Sequence, residues 1–446
     1  MPDTRQFYID GHWTAPLEGR DHPVIDPSTE EVCATISLGG QADTDAAVAA
    51  AVRAFPGWAA TPLAERKRAV EGILAAYEAR KEEMGRAISL EMGAPIDMAI
   101  SSQAACLPWH LKNYLTAVDE LQWIRPLGPH APNDRIALEP IGPVGLITPW
   151  NWPMNQVTLK VVAALLAGCT MVLKPSEEAP LSSLLFAEFV DAAGVPPGVF
   201  NLVNGDGAGV GTQLSAHPDL QMISFTGSTR AGRAISRTAA ETLKRVSLEL
   251  GGKGANLIFA DAGEKAVRRG AAHCFNNSGQ SCNAPTRMLV ERDFYDEAVE
   301  IAAAVAQATA VGPASEPGKH IGPVVSQAQF DKIQTLIQAG IDEGATLVAG
   351  GVLMWFGDRP GNLALAILLG VAAAGWLLNA LCAARIKEVP GSIEGGENAW
   401  DSIKLGLSLL REDRTFIHCN VARALLILSA LALPYLALLG ERQSGT

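Results

Sequence analysis

The sequence predicts an α/β fold whose main sheet is parallel and covered on both faces. Three observations carry that expectation: strict alternation of short β-like runs and helices from residue 144 to 250, a second alternation from residue 255, and a helical stretch ahead of both. Residues 42–120 are mostly helical, since AAVAAAVRAF, AERKRAVEGILAAYEARKEEMGRAI and IDMAISSQAACLPWHLKNYLTAV carry apolar residues at three- and four-residue spacing. VGLI (144–147) is then followed by an amphipathic stretch from Asn155 to Leu166 and by TMVL (170–173). A helix over 181–193 leads to VFNLV (199–203), one over about 208–216 to MISF (222–225), and one over 230–243 to VSLEL (246–250). Such alternation implies right-handed crossovers and parallel pairing. ANLIFA (255–260) and RMLVE (287–291) are strands of the second unit, with helices near 264–277 and 292–310. The domain boundaries expected are therefore 1–250 and 251–350, and ligand belongs between the units at the carboxyl ends of the strands.

Composition narrows the function. The chain has 446 residues, enough for several domains, and a net charge of −12 without basic runs, which argues against a nucleic-acid partner. Cysteines at 33, 106, 169, 274, 282, 382 and 419 form no C-x-x-C pair, so neither a disulfide framework nor a metal site is indicated. The N-terminus, MPDTRQFYIDGHW, has no apolar stretch of the kind a signal peptide needs, and residues 1–350 are expected in the cytoplasm. Beyond Gly350 the character changes. Residues 360–384 carry no charge, and ALLILSALALPYLALLG (424–440) is a second apolar run with Pro434 inside. The expectation is a helical membrane hairpin with spans at about 362–384 and 422–440.

Chemistry-bearing residues sit just past the β-like runs. PWNWP (149–153) presents the Asn151 amide between Trp150 and Trp152, or else forms an Asx-turn. In KPSEEAP (174–180), Lys174 and Glu177 could hold ribose hydroxyls; the plainer reading is a solvated helix start. FTGSTRAG (225–232) places Gly227 and Ser228 where backbone N–H groups can face a phosphate, but Arg233 and Ala234 follow, which disfavours a nucleotide-hydrolysing P-loop. GDGAGVG (205–211) fits no G-x-G-x-x-G frame and reads equally well as a turn. LELGGKGAN (248–256) sets Glu249 before two glycines, as a desolvated general base or as an ion-pair partner of Lys253. NSGQSCNAP (277–285) holds Cys282 between Ser281 and Asn283, a polar context suited to an accessible thiolate.

In this order and spacing, PWNWP, KPSEEAP, FTGSTRAG, LELGGK and GQSC resemble the successive motifs of the aldehyde dehydrogenase superfamily, from about Tyr8 to Gly350. The resemblance implies a Rossmann-like dinucleotide-binding domain and an α/β catalytic domain that is incomplete here. It implies Cys282 as nucleophile, Asn151 with the Cys282 N–H as oxyanion hole, and Glu249 as the base for thioester hydrolysis. Lys174 and Glu177 match the ribose-binding pair and Ser228 the pyrophosphate contact, with Gly227 and Trp150 beside the cofactor. Glu177 would repel a 2′-phosphate, so NAD is expected over NADP. The substrate implied is a small-molecule aldehyde. The sequence departs from the family after GATLVAGG: no E-I-F-G-P-type motif, P-F-G-G-type loop or oligomerisation strand follows, which makes the family's homo-oligomer doubtful. Residues 351–446 look instead like a fragment of a major facilitator transporter, implying membrane association of the tail. The alternative to an active enzyme is a non-catalytic fusion that binds dinucleotide weakly.

Overall fold

The computed structural model describes residues 3–347 and the short strand Met354–Phe356. The chain divides into two units, Met1–Trp355 and Phe356–Thr446. The first opens on a hairpin of β1 (Phe7–Ile9) and β2 (His12–Thr14). Ile9 pairs with His12, which leaves Asp10 and Gly11 as a two-residue loop, both at positive φ. That is the sequence and geometry that match the twist of a tight hairpin. An antiparallel ribbon, β3 (Arg20–Ile25) and β4 (Val32–Leu38), precedes the helical layer. Helices α1 (Gln41–Ala60), α2 (Leu63–Ala79) and α3 (Lys81–Met92) lead to a short α4 (Ile96–Met98), a π-helical turn (Ala99–Gln103) and α5 (Cys106–Glu120). Gly93, at φ 78°, ends α3 in the left-handed conformation that a helix terminus favours. A hairpin of β5 (Ile124–Gly128) and β6 (Ala131–Ala137) follows, which hydrophobic periodicity does not anticipate because its residues are mostly exposed.

The main sheet begins at β7 (Val144–Ile147) and continues through β8 (Met171–Lys174), β9 (Phe200–Leu202), β10 (Met222–Gly227) and β11 (Arg245–Leu250). Its seven strands lie in the order β11-β10-β7-β8-β9-β1-β2. From β11 to β9 all neighbours are parallel, and β1 joins antiparallel to β9 at Tyr8 and Leu202. The chain thus builds outward from β7 to β9, returns to the other side of β7 and builds outward again. The reversal between β7 and β10 opens a crevice at the carboxyl ends of the strands. Alternation along the strands sorts the core. Leu146, Met171 and Leu173 pack with α6 (Pro153–Ala167) and α7 (Leu181–Ala192), whereas Ile147, Val172 and Ile223 pack with α1, α8 (Thr212–Ala216) and α9 (Thr229–Ala240). Both faces of β7, β8 and β9 are buried, as their near-continuous apolar runs require.

The second α/β unit is present as β12 (Ala255–Ile258) paired parallel with β13 (Arg287–Val290). Helices α10 (Gly263–Phe275) and α11 (Tyr295–Ala308) cover one face through Ile258, Val267, Ala271, Phe294 and Ala298. On the other face Leu257 and Leu289 are 61% and 51% exposed, so among the described residues this sheet is covered on one side only. Helix α12 (Gln327–Asp342) closes the described helices. No helix of the described residues is long and apolar enough to cross a membrane. The spans expected at 362–384 and 422–440, and the transporter-like reading of 351–446, lie outside the described residues apart from the strand Met354–Phe356.

Glu91, on α3, is fully buried and accepts hydrogen bonds from the backbone N–H groups of Leu181 and Ser182 at the start of α7. Burial pushes its carboxyl up to about 8, against the opposing pull of those N–H groups. The fold therefore holds this proton more tightly than the unfolded chain, whose carboxyl titrates near 4.5. The stabilisation is complete below that unfolded value and is lost as pH rises toward 8. Thermal melting across this window should fall with rising pH, and Glu91→Gln should flatten the decline; an unchanged slope in the variant would place the titration elsewhere.

Candidate active site

Four loops meet the carboxyl ends of β7, β8, β10 and β11, and the register aligns them. Ile147 pairs with both Phe225 and Lys174, and Thr226 pairs with Glu249. Past β7, the PWNWP loop runs into α6 with Pro153 in the first turn, where a missing N–H costs nothing. This loop is tied to the one that carries Cys282. The Asn151 amide Nδ2 donates to the Gln280 carbonyl at 2.8 Å, and Trp152 Nε1 donates to Ser281 Oγ at 2.8 Å. Asn277 Nδ2 donates back to the Asn151 carbonyl at 2.9 Å. The Asx-turn alternative for Asn151 is set aside, because the residue two positions on is Pro153, which has no N–H to donate to Oδ1.

Cys282 is exposed, and it is the only exposed one of the described free cysteines. Burial pushes the thiols of Cys33 and Cys106 up to about 11 and raises those of Cys169 and Cys274. Glu249 stands on the edge strand β11, whose residues alternate between exposed and half-buried. It is exposed among the described residues, so the desolvated-base expectation is corrected here. Among the described residues it forms no ion pair with Lys253. The charge that Glu249 acts on is the ammonium of Lys160, a buried residue of α6 whose Nζ donates to Ser224 Oγ at 2.9 Å. Burial pulls the Lys160 ammonium down to about 8, and Glu249 opposes that shift. Sequence reading missed Lys160 because it sits inside an apolar helix pattern. Its only signal is a lysine on the buried stripe of α6.

Lys174 ends β8 and is 3% exposed, which overturns the solvated helix start. Its ammonium donates to the carbonyls of Pro175 and Gly205 and approaches Glu177 Oε2 at 3.4 Å. Burial lowers its affinity for the proton, while Glu177 and Asp206 oppose the shift. The GDGAGVG segment is a turn: Asp206 caps the π-helical turn Gly207–Gly211 by accepting from the Gly209 N–H. Ser228 is the N-cap of α9, its Oγ accepting from the Ala231 N–H at 3.2 Å. A Cβ on Gly227 would lie 2.5 Å from the Phe225 ring, so the chain can pass here only without a side chain. Beyond β11, a Cβ on Gly251 or Gly252 would meet nothing within 4 Å among the described residues. An ammonium, a carboxylate and the exposed start of a helix at neighbouring strand ends fit the ribose hydroxyls and phosphates of a dinucleotide. Trp150 is half-buried, packed on the main core at the mouth of β7.

Comparison with known proteins decides the family: residues 13–372 match the aldehyde dehydrogenase family. The chain belongs to it. The match runs past Gly350 and into the first apolar run, which corrects the end of the dehydrogenase segment read from sequence. A 3-succinoylsemialdehyde-pyridine dehydrogenase from a Pseudomonas species is 49% identical over 357 residues, covering 79% of this chain and 73% of the relative. The crystal structure of an aldehyde dehydrogenase from Bartonella henselae is 60% identical with a TM-score of 0.77, covering 80% of this chain and 75% of that one. A mutant aldehyde dehydrogenase C from Pseudomonas syringae, solved with NAD+ and octanal, is 47% identical with a TM-score of 0.76. That likeness covers 79% of this chain and 72% of the Pseudomonas syringae protein. The aldehyde dehydrogenase fold is thereby established for the chain.

Proposed function

We propose that this aldehyde dehydrogenase oxidises an aldehyde to the carboxylic acid with Cys282 as nucleophile, Asn151 as oxyanion donor and Glu249 as the base of the hydrolytic half. The observation that carries the reading is the hydrogen-bonded junction between the PWNWP loop and the Cys282 loop. The Cys282 thiolate attacks the aldehyde carbon, and the carbonyl oxygen takes up negative charge. The Cys282 N–H donates to that oxygen. Asn151 Nδ2 carries two N–H groups and spends one on the Gln280 carbonyl, so the second is left for the same oxygen. NAD, when bound, supplies the two-electron acceptor that turns the adduct into a thioester. Glu249 then takes a proton from the water that attacks the thioester, and Cys282 is released as the thiolate.

Lys174 and Glu177 would hold the cofactor ribose, with Gly227, Ser228 and Trp150 along the same crevice. Glu177 sets its charge against a 2′-phosphate, which favours NAD over NADP. Residues 1–250 form the NAD-binding domain in this reading, and residues from 251 carry the nucleophile. A non-catalytic fusion is not favoured, because the thiol, the amide and the dinucleotide crevice all fall within the matched segment.

The relatives supply the first probes: octanal, which the Pseudomonas syringae protein holds, and a pyridyl semialdehyde, for which the Pseudomonas relative is named. NADH formation by the full chain should follow addition of aldehyde. Asn151→Ala should lower kcat/KM about 10²- to 10³-fold, the usual cost of one oxyanion donor. Unchanged turnover in that variant would remove Asn151 from the mechanism.

A further inference from the structure

Just ahead of the nucleophile loop, Asn277 (φ 54°) and Ser278 (φ 56°) stand consecutively in the left-handed region, which non-glycine residues seldom adopt. Asparagine is among the side chains that tolerate it best, so a bare fold requirement could be met there by glycine. Asn277 is 2% exposed, and both ends of its amide are used. Nδ2 donates to the Asn151 carbonyl at 2.9 Å, while Oδ1 accepts from Gln103 Nε2 at 3.0 Å. Gln103 is itself buried and ends the π-helical turn Ala99–Gln103 of the helical layer. The Asn277 carbonyl accepts from Gln280 Nε2 at 3.2 Å, and Gln280 Oε1 accepts from the Val325 N–H at 3.0 Å. Ser278 Oγ donates to the Gly322 carbonyl at 2.7 Å.

Two backbone carbonyls tie Asn277 to Asn151. The carbonyl of Asn151 accepts from Asn277 Nδ2, and the carbonyl of Gln280 accepts from Asn151 Nδ2 at 2.8 Å and from Asn277 Nδ2 at 3.5 Å. The geometry points to Asn277 as a positioning residue. It holds the Asn151 amide in register with the Cys282 loop, and Gln103 fixes it from behind. A buried amide whose donor and acceptor are both directed, as those of Asn277 are, restricts a loop to one arrangement, and an apolar residue of similar size cannot do so. A displacement of the oxyanion donor by about 1 Å is enough to cost two orders of magnitude in rate. The inference rests on the roles proposed for Cys282 and Asn151.

Asn277→Gly removes the amide and keeps the left-handed backbone unstrained. In the full chain it should lower kcat for octanal oxidation by about ten- to a hundred-fold. The KM for octanal and the calorimetric affinity for NAD should stay close to wild type. Gln103→Met conserves volume, removes the donor to Asn277, and should lower kcat in the same manner but less. If Asn277→Gly fails to fold, Gln103→Met decides: lower kcat at unchanged KM supports the assignment, and wild-type kcat overturns it. A fall in kcat that comes only with matching losses of NAD affinity and melting temperature also overturns it, since that is a structural residue's signature. Cys282→Ala separates the two levels. If that variant stays active the proposed mechanism itself is wrong; if it is dead while Asn277→Gly turns over normally, only the positioning role is lost.

Discussion

Cys282→Ala should lower NAD-dependent aldehyde oxidation by at least about 10⁴-fold, because the proposed covalent route has no substitute nucleophile at that position. The competing cysteines are in the wrong state for the work. Cys169 is buried, and burial pushes Cys33 and Cys106 up to about 11, so near neutral pH almost none of either is thiolate. Cys282 is exposed on a turn beside Ser281, where an alkylating reagent can reach it. Limited alkylation with iodoacetamide near neutral pH, followed by peptide mapping, should therefore modify Cys282 first, and octanal present beforehand should protect it. If Cys33 or Cys106 reacts as fast as Cys282, the thiol carrying the chemistry is misassigned.

Glu249→Gln separates the two halves of the reaction. The variant should still release a first equivalent of NADH per active site, since forming the thioester needs Cys282 and Asn151 but not this base. Steady-state turnover should then fall by about 10²- to 10⁴-fold, the range that a positioned general base contributes. Glu249 is exposed at the end of β11, and its electrostatic partner Lys160 is buried behind it, bonded to Ser224 of β10. A missing first-turnover burst would place Glu249 in the acylation step instead. Full steady-state activity would exclude it as the base.

How much of this was legible before folding depends on the residue. The strands at 144, 171 and 200 start within one residue of their apolar runs, because burial on both faces leaves a continuous hydrophobic signature, and those at 222 and 245 start as closely on alternating patterns. The hairpin Ile124–Ala137 left no such mark, as an exposed ribbon needs no apolar periodicity. Lys174 was legible as a candidate but not as a buried residue. Its burial is offset by the Gly205 carbonyl, which accepts from its ammonium across 31 residues. Glu249 shows the reverse: an apolar strand suggested a dry carboxylate, yet β11 is an edge strand with exposed alternate positions.

Order along the chain determined the succession of strands, the five motifs and hence the family, because those signals are local: apolar period, glycine and proline punctuation, and a thiol in polar company. What the sequence could not decide is which distant groups share a site. Asn277, Gln103 and Lys160 carry no local mark that ties them to this crevice. They are joined to it only when the parallel crossovers set α6 against β10 and the Cys282 loop against the PWNWP loop. A hydrogen bond of 2.9 Å between residues 126 apart depends on packing, and packing is a property of the whole fold rather than of any segment.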